Sequence, residues 1–296
     1  ILEPQIVGLL SSVGRFIMIG GECQLPAIVL QSEAMAAAKS ELLSAIGLET
    51  LSGSLFERLA AQSRTNGFEA EATLRTQARM HKQIQEFPNV QFYGGKLEVM
   101  DADGWQTSCD TFFDAASSDR LEALLARSRV MLIESKPEKR SKIHIEEARR
   151  AATIAALIHL KFGTKFDEKS IGIVAPWRAQ CGEIYKRLPS GIARQVSVDT
   201  IERYQGSERD TIVISYAINY AEQLSGISSW YSTGGKTIDR KLNVALTRAR
   251  SRLIILANPH IISRSPIFRD LVEFIKCKGG YVSDEEFRSI DLPVYE

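Results

Sequence analysis

Four short blocks concentrate side chains that bind or polarise anions. The first, Ile19-Gly20-Gly21-Glu22-Cys23-Gln24-Leu25-Pro26, follows an apolar run. Glycines at a strand end let backbone approach a phosphate, and Gln24 there can orient a water; a plain tight turn is the competing reading. The second, Leu74-Arg75-Thr76-Gln77-Ala78-Arg79-Met80-His81, offers Arg79 as an anion ligand or as an ordinary surface charge. The third, Val198-Asp199-Thr200-Ile201-Glu202-Arg203-Tyr204-Gln205-Gly206-Ser207-Glu208-Arg209-Asp210, packs a hydroxyl, an amide, a glycine and a carboxylate between two apolar runs. The fourth, Leu242-Asn243-Val244-Ala245-Leu246-Thr247-Arg248-Ala249-Arg250, lies in a basic stretch. Lys236, Arg240, Lys241, Arg248, Arg250 and Arg252 there face one acid, Asp239. A solvated helix face and an anion-facing helix both fit that pattern.

Short β-branched runs must position these blocks. Phe16-Ile17-Met18-Ile19, Val130-Met131-Leu132-Ile133, Ile171-Gly172-Ile173-Val174, Thr211-Ile212-Val213-Ile214 and Leu253-Ile254-Ile255-Leu256 read as strands buried on both faces. Between them, apolar residues recur at Ile145, Ala148, Ala152, Ala155, Ile158 and Phe162, one face of a helix. Residues 177–188 and 267–276 are similar, and residues 31–70 are Ala/Ser-rich with helical tendency. Strands alternating with helices imply a doubly wound α/β domain, whose ligands sit at the carboxyl ends of strands. The blocks are expected mostly at that edge. Residues 94–111 read as a hairpin or surface loop, Lys136–Lys142 as an exposed loop with a solvated turn favoured over a nucleic-acid patch, and 225–236 as a mobile polar segment.

The bulk composition excludes several classes. The 296 residues are 44% hydrophobic and 25% charged, as in an ordinary soluble domain or two. No apolar run approaches the ~20 residues of a membrane span. The four cysteines and four histidines are scattered, which predicts reduced thiols in an intracellular protein and no metal site. The net charge of +1 neither demands nor excludes nucleic acid, because a motor needs only a local basic track.

Taken in order, the four blocks resemble superfamily 1 helicases, the group of the nonsense-mediated-decay RNA helicase and the replication helicase–nucleases. The first is similar to motif III, the second to the family's Gln-Tyr-Arg-Met motif, the third and fourth to motifs V and VI. Ser54-Leu55-Phe56-Glu57-Arg58-Leu59 and Gly172-Ile173-Val174-Ala175-Pro176-Trp177-Arg178-Ala179-Gln180 resemble further family segments. Two positions depart from the pattern. Gly21 stands where motif III has Asp, and Ala78 stands where relatives have a base-stacking Tyr, which puts adenine selectivity in doubt.

The resemblance implies a RecA-like P-loop NTPase fold, a mostly parallel sheet flanked by helices. It implies that residues 1–30 are a C-terminal remnant of a first motor domain and that 31–296 form the second. ATP would lie between the two domains. Arg79 and Arg248 would be arginine fingers, and Gln24 would sense the γ-phosphate or attacking water. Glu208 would bind the ribose hydroxyls, with Gly206 allowing close backbone approach. Thr200, Trp177 and Arg178 would contact DNA or RNA, most simply a single strand, although Trp177 in the core is an equal reading. Ile1-Leu2-Glu3-Pro4 resembles the segment after motif II, so the phosphate loop and the Mg²⁺ ligands are expected upstream, in the missing N-terminal domain, and this chain alone is expected to be inactive. The rival readings are a translocase that does not unwind, the motor part of a helicase–nuclease, and a degenerate RecA-like scaffold.

Overall fold

The computed structural model describes residues 2–27, 29–67, 70–100, 106, 112–233 and 236–290. They divide into two compact units, Ile1–Leu74 and Arg75–Glu296. The division falls after Leu74, whereas the sequence reading placed a boundary at residue 30. The reason lies in pairing within the first unit. Leu2 bridges Ser54 and Ala37 bridges Thr50, both antiparallel. The guanidinium of Arg58, on the Leu55–Asn66 helix, holds Glu3 of the Glu3–Leu10 helix at 2.6 Å. Residues 31–74 therefore pack with the segment that precedes them.

The expected strand Phe16–Ile19 does not form. Ile17 and Ile19 are 93% and 90% exposed. A strand needs a neighbour for its backbone N–H and C=O groups, and the first unit has only isolated bridges among its described residues. An apolar, β-branched run without a partner strand stays extended and solvated.

The second unit is built on a six-stranded sheet. Its strands are β3 (Val130–Glu134), β4 (Ile171–Ala175), β5 (Ser197–Thr200), β6 (Arg209–Ser215), β9 (Ala249–Ala257) and β10 (Tyr281–Val282). Their order is β10-β3-β9-β6-β4-β5, and every pairing is parallel. This is the α/β layout that the alternation of runs implies and the mostly parallel RecA-like sheet that the resemblance implies. Ile133, Ile173, Ile214 and Ile255 are fully buried at its centre. The Ile145–Phe162 helix packs Ala148, Ala152, Ala155 and Ile158 onto the sheet, the face its spacing predicts. The edge strands β5 and β10 are short and mixed in polarity, so no apolar run marked them.

Parallel pairing fixes where the blocks lie. Arg209 opposes Ala249 at the amino ends of β6 and β9. Glu208 and Arg248 each stand one residue before those strands, so they sit together at the amino edge of the sheet. The expectation of a carboxyl-edge site fails for these two, because their blocks precede strands rather than follow them. Thr200 ends β5, and Trp177 and Arg178 follow β4, so these three do lie at the carboxyl edge.

The third block folds back over the sheet through turns at 201–206. Tyr204 lies against Gly172 of β4 so closely that a Cβ there would fall 1.9 Å from the phenol oxygen. Gly172 is thus the seat for Tyr204. The described residues around 225–236 take up regular structure. They carry a short helix, Leu224–Ile227, and a hairpin of β7 (Trp230–Thr233) and β8 (Lys236–Asp239). Arg240 stacks on Tyr231 at 3.6 Å. Within 94–111, Glu98–Val99 pairs in parallel with Thr76–Gln77; 101–105 and 107–111 lie outside the described residues.

Candidate functional site

At the amino edge, Arg79 arrives from the turn before the Lys82–Tyr93 helix. Gln77 shapes that turn: its side-chain oxygen accepts from the N–H of Arg79 and of Met80, at 2.8 and 2.7 Å. The N–H of His81 donates to the carbonyl of Arg250 at 2.8 Å, docking the turn beside β9. Arg79 then donates through Nε to Glu208 Oε2 at 2.5 Å and through Nη1 to the Thr247 carbonyl at 3.3 Å. Three sequence-predicted residues, Arg79, Glu208 and Arg248, are thereby gathered from segments far apart in the chain.

The electrostatics of the two arginines differ. Arg248 is 5% exposed. Its guanidinium donates to the carbonyls of Val244 and Ser207 and to the Thr247 hydroxyl, at 3.0, 3.3 and 3.1 Å. No carboxylate pairs with it among the described residues. Burial and then the charge of Arg79 push its pKa down to about 10, so it is still cationic at neutral pH. A desolvated cation held by neutral acceptors keeps the capacity to pair with an anion. Glu208 is held below the usual carboxylate range, chiefly by Arg79.

Glu208 Oε1 lies 3.9 Å from Arg250 Nε and accepts no hydrogen bond among the described residues, which leaves it an acceptor for a hydroxyl. Arg250 also approaches Asp210 at 3.8 Å. Glu168, Lys169, Glu208, Arg209 and Arg250 line an open concavity of about 280 Å³. Arg250, Lys169 and Gln77 were not singled out as site residues. The basic stretch around Arg250 was visible in the sequence; nothing local marked Lys169, which sits ahead of β4.

The rest of that basic stretch disperses. Lys241 binds Glu202 at 2.5 Å and the Gly226 carbonyl at 2.8 Å, and Arg252 donates to the Ser128 carbonyl at 2.9 Å. Of the stretch, Arg248, just past the Arg240–Leu246 helix, and Arg250, within β9, stand at the amino edge. Gly206 has φ +88° with open space around it. Its glycine serves the left-handed turn into Glu208, and the space beside it leaves the backbone open to approach.

At the carboxyl edge, Thr200 is mostly buried and its N–H donates to Asp199 at 2.8 Å. Trp177 is half-buried and packs against Gly226, and Arg178 is exposed. Behind them lies a buried polar network. Glu147 accepts from the hydroxyls of Ser135 and Ser215 and from the N–H of Ala217, at 2.6 to 2.8 Å. Gln180 donates to Ser215 and to the His144 carbonyl, and accepts from the His144 N–H.

Gln24 belongs to the first unit. It is exposed and closes a turn by donating its N–H to the Gly21 carbonyl at 3.1 Å, the tight-turn geometry. Cys181 and Cys277 are free thiols, and Cys109 lies outside the described residues. No group of three potential metal-ligating side chains occurs among the described residues. None of the described helices is long and apolar enough to cross a membrane.

A family model described as an AAA domain matches residues 51–260. The DNA replication ATP-dependent helicase/nuclease JHS1 of Arabidopsis thaliana is 26% identical over 289 residues, covering 95% of this chain and 20% of that protein. The DNA replication ATP-dependent helicase/nuclease DNA2 of Bos taurus is 28% identical over 314 residues, covering 99% and 26%. Helicase SEN1 of Saccharomyces cerevisiae is 28% identical over 271 residues, covering 88% and 11%. The chain thus spans about a quarter or less of the length of these three relatives. The chain belongs to the AAA domain family, within its superfamily 1 helicase group.

Proposed function

We propose that the second unit is the trans half of an ATP-dependent nucleic-acid motor, and that its amino edge completes an ATP site supplied by a neighbouring RecA-like domain. The observation that carries this reading is the buried, carboxylate-free guanidinium of Arg248 beside Arg79 and Glu208. Phosphoryl transfer to water needs charge stabilisation more than covalent chemistry. Two planar guanidinium forks, Arg79 and Arg248, aimed at the γ-phosphate supply it. Glu208 Oε1 accepts from a ribose hydroxyl, and Gln24 senses the γ-phosphate or positions water. Arrival of the γ-phosphate competes with Glu208 for Arg79. Mg²⁺ would neutralise phosphate oxygens, but the described residues offer no ligand set for it, so no residue of this chain is assigned a metal role. Its carboxylates and the phosphate loop belong to the complementary half, and this chain alone turns over no ATP.

Nucleic acid, DNA or RNA in single-stranded form, runs along the carboxyl edge past Thr200, Trp177 and Arg178, held mainly through phosphates. The names of the relatives fit such a motor acting inside the cell, and they leave unwinding and translocation as two outcomes of one engine. The test is Arg248→Ala in the full-length protein. Nucleic-acid-stimulated ATP hydrolysis is expected to fall roughly 10³-fold or more, with nucleotide binding largely spared. Arg248→Lys does not restore it, lacking the fork. Turnover within a few-fold of wild type removes Arg248 from the role and returns the degenerate-scaffold reading.

A further inference from the structure

The loop between β3 and the Ile145–Phe162 helix carries Lys136, Lys139, Arg140 and Lys142, all exposed, with one acid, Glu138. The acid is turned inward. Its carboxylate accepts from the N–H of Ile145 and of Glu146 at 3.0 and 2.9 Å, capping the helix. The cations face outward. Lys136 reaches Asp284 at 3.5 Å and Arg140 approaches Glu138 at 3.7 Å. Lys139 and Lys142 have no acidic partner among the described residues.

Buried side chains fix the backbone of this loop. Asn219, 4% exposed, donates through Nδ2 to the carbonyls of Arg140 and Ile143, at 3.0 and 2.9 Å, and accepts from the Glu138 N–H at 2.7 Å. The His144 ring bonds the Lys136 carbonyl at 2.9 Å. Gln180, wholly buried, clasps the His144 backbone from both sides. Lys142 is held at φ +62°, a left-handed conformation unusual for lysine. A merely solvated turn needs none of these ties. The same ties join the loop to its neighbours: Gln180 lies two residues beyond Arg178, and Asn219 is followed by Tyr220, 45% exposed. Cations and an exposed aromatic ring share one rigid edge, the combination that holds single strands through phosphates and stacked bases.

We propose that Lys139 and Lys142 contact phosphates, and Tyr220 a base, of the single strand that passes Trp177 and Arg178, with Asn219 as the positioning residue of the loop. The inference rests on the nucleic-acid reading above and extends its path across the carboxyl edge from β4 to β3.

The test measures binding of fluorescein-labelled oligothymidylate and oligouridylate to the full-length protein across a salt series. Lys139→Ala with Lys142→Gly removes both charges, and glycine suits φ +62°, so the melting temperature should hold. Affinity is expected to fall roughly tenfold at low salt, and the slope of log K against log salt to become shallower by about 1.4, about 0.7 for each phosphate contact. Tyr220→Ala should weaken binding with the slope unchanged, and Tyr220→Phe should bind as wild type. Asn219→Ala should lower affinity and slope together. If the wild type binds neither oligonucleotide, the nucleic-acid reading itself fails. If the wild type binds and the double variant matches it in affinity and slope, the loop is only solvated. Lost affinity with an unchanged slope overturns the phosphate assignment.

Discussion

The two edges of one parallel sheet follow opposite rules. At the carboxyl edge the buried polar groups Glu147, Gln180, His144 and Asn219 are tied to one another and to backbone. At the amino edge Arg248 is equally buried but meets only carbonyls and a hydroxyl, and the charge of Arg79 opposes it. A satisfied network makes a rigid platform. An uncompensated buried cation costs stability, and that cost is recovered only when an anion arrives. The contrast teaches where to look for chemistry: at the edge where a buried charge has no carboxylate partner among the described residues.

The sharpest break in this comparison comes from Arg248→Met. ATP hydrolysis should drop roughly 10³-fold, while stability in urea stays within about 1 kcal/mol of wild type or rises, because a buried charge without a partner is removed. A loss of several kcal/mol would show that the amino edge is as satisfied as the carboxyl edge. Glu147→Ala is the converse. It strips three donors of one acceptor and frees Ala217, held at φ +49°. Chemical denaturation should show a loss of about 3 kcal/mol. A loss below 1 kcal/mol would remove the platform from the argument.

Gly206→Ala should cost about 1 kcal/mol, from backbone strain alone, since φ is +88° and no atom lies near the added Cβ. An unchanged urea midpoint would mean that the turn into Glu208 relaxes freely. The smallest effect concerns the Arg79–Glu208 pair, which is partly solvated. Arg79 depresses the carboxyl, so the pair contributes fully above the ordinary glutamate pKa, about 4.3, and its contribution is lost as pH falls through the lower folded value. Glu208→Gln should therefore lower the urea midpoint slightly at pH 7, with the difference shrinking in acid. A difference that grows in acid would mean that Glu208 is not held by Arg79.

Much of the fold was legible because burial on both faces writes itself as unbroken apolar runs. Four of the five runs became β3, β4, β6 and β9, and the 145–162 periodicity became a helix. Phe16–Ile19 misled for the same reason: apolarity records a tendency to pair, and pairing needs a neighbour. The site residues were legible as types. Arg79, Glu208 and Arg248 stood out by the order of their blocks, whereas Lys169 and Asn219 did not, because their neighbours lie dozens of positions away.

The sequence alone determined the class of this domain, its alternation of strands and helices, and the anion-seeking character of its blocks, since these depend on local periodicity and side-chain chemistry. Only the tertiary structure decided which edge each block occupies, that Glu208 holds Arg79, and that Arg248 is buried without a carboxylate. Strand order and parallel register set those neighbours, and both arise from long-range packing that no local stretch of residues encodes.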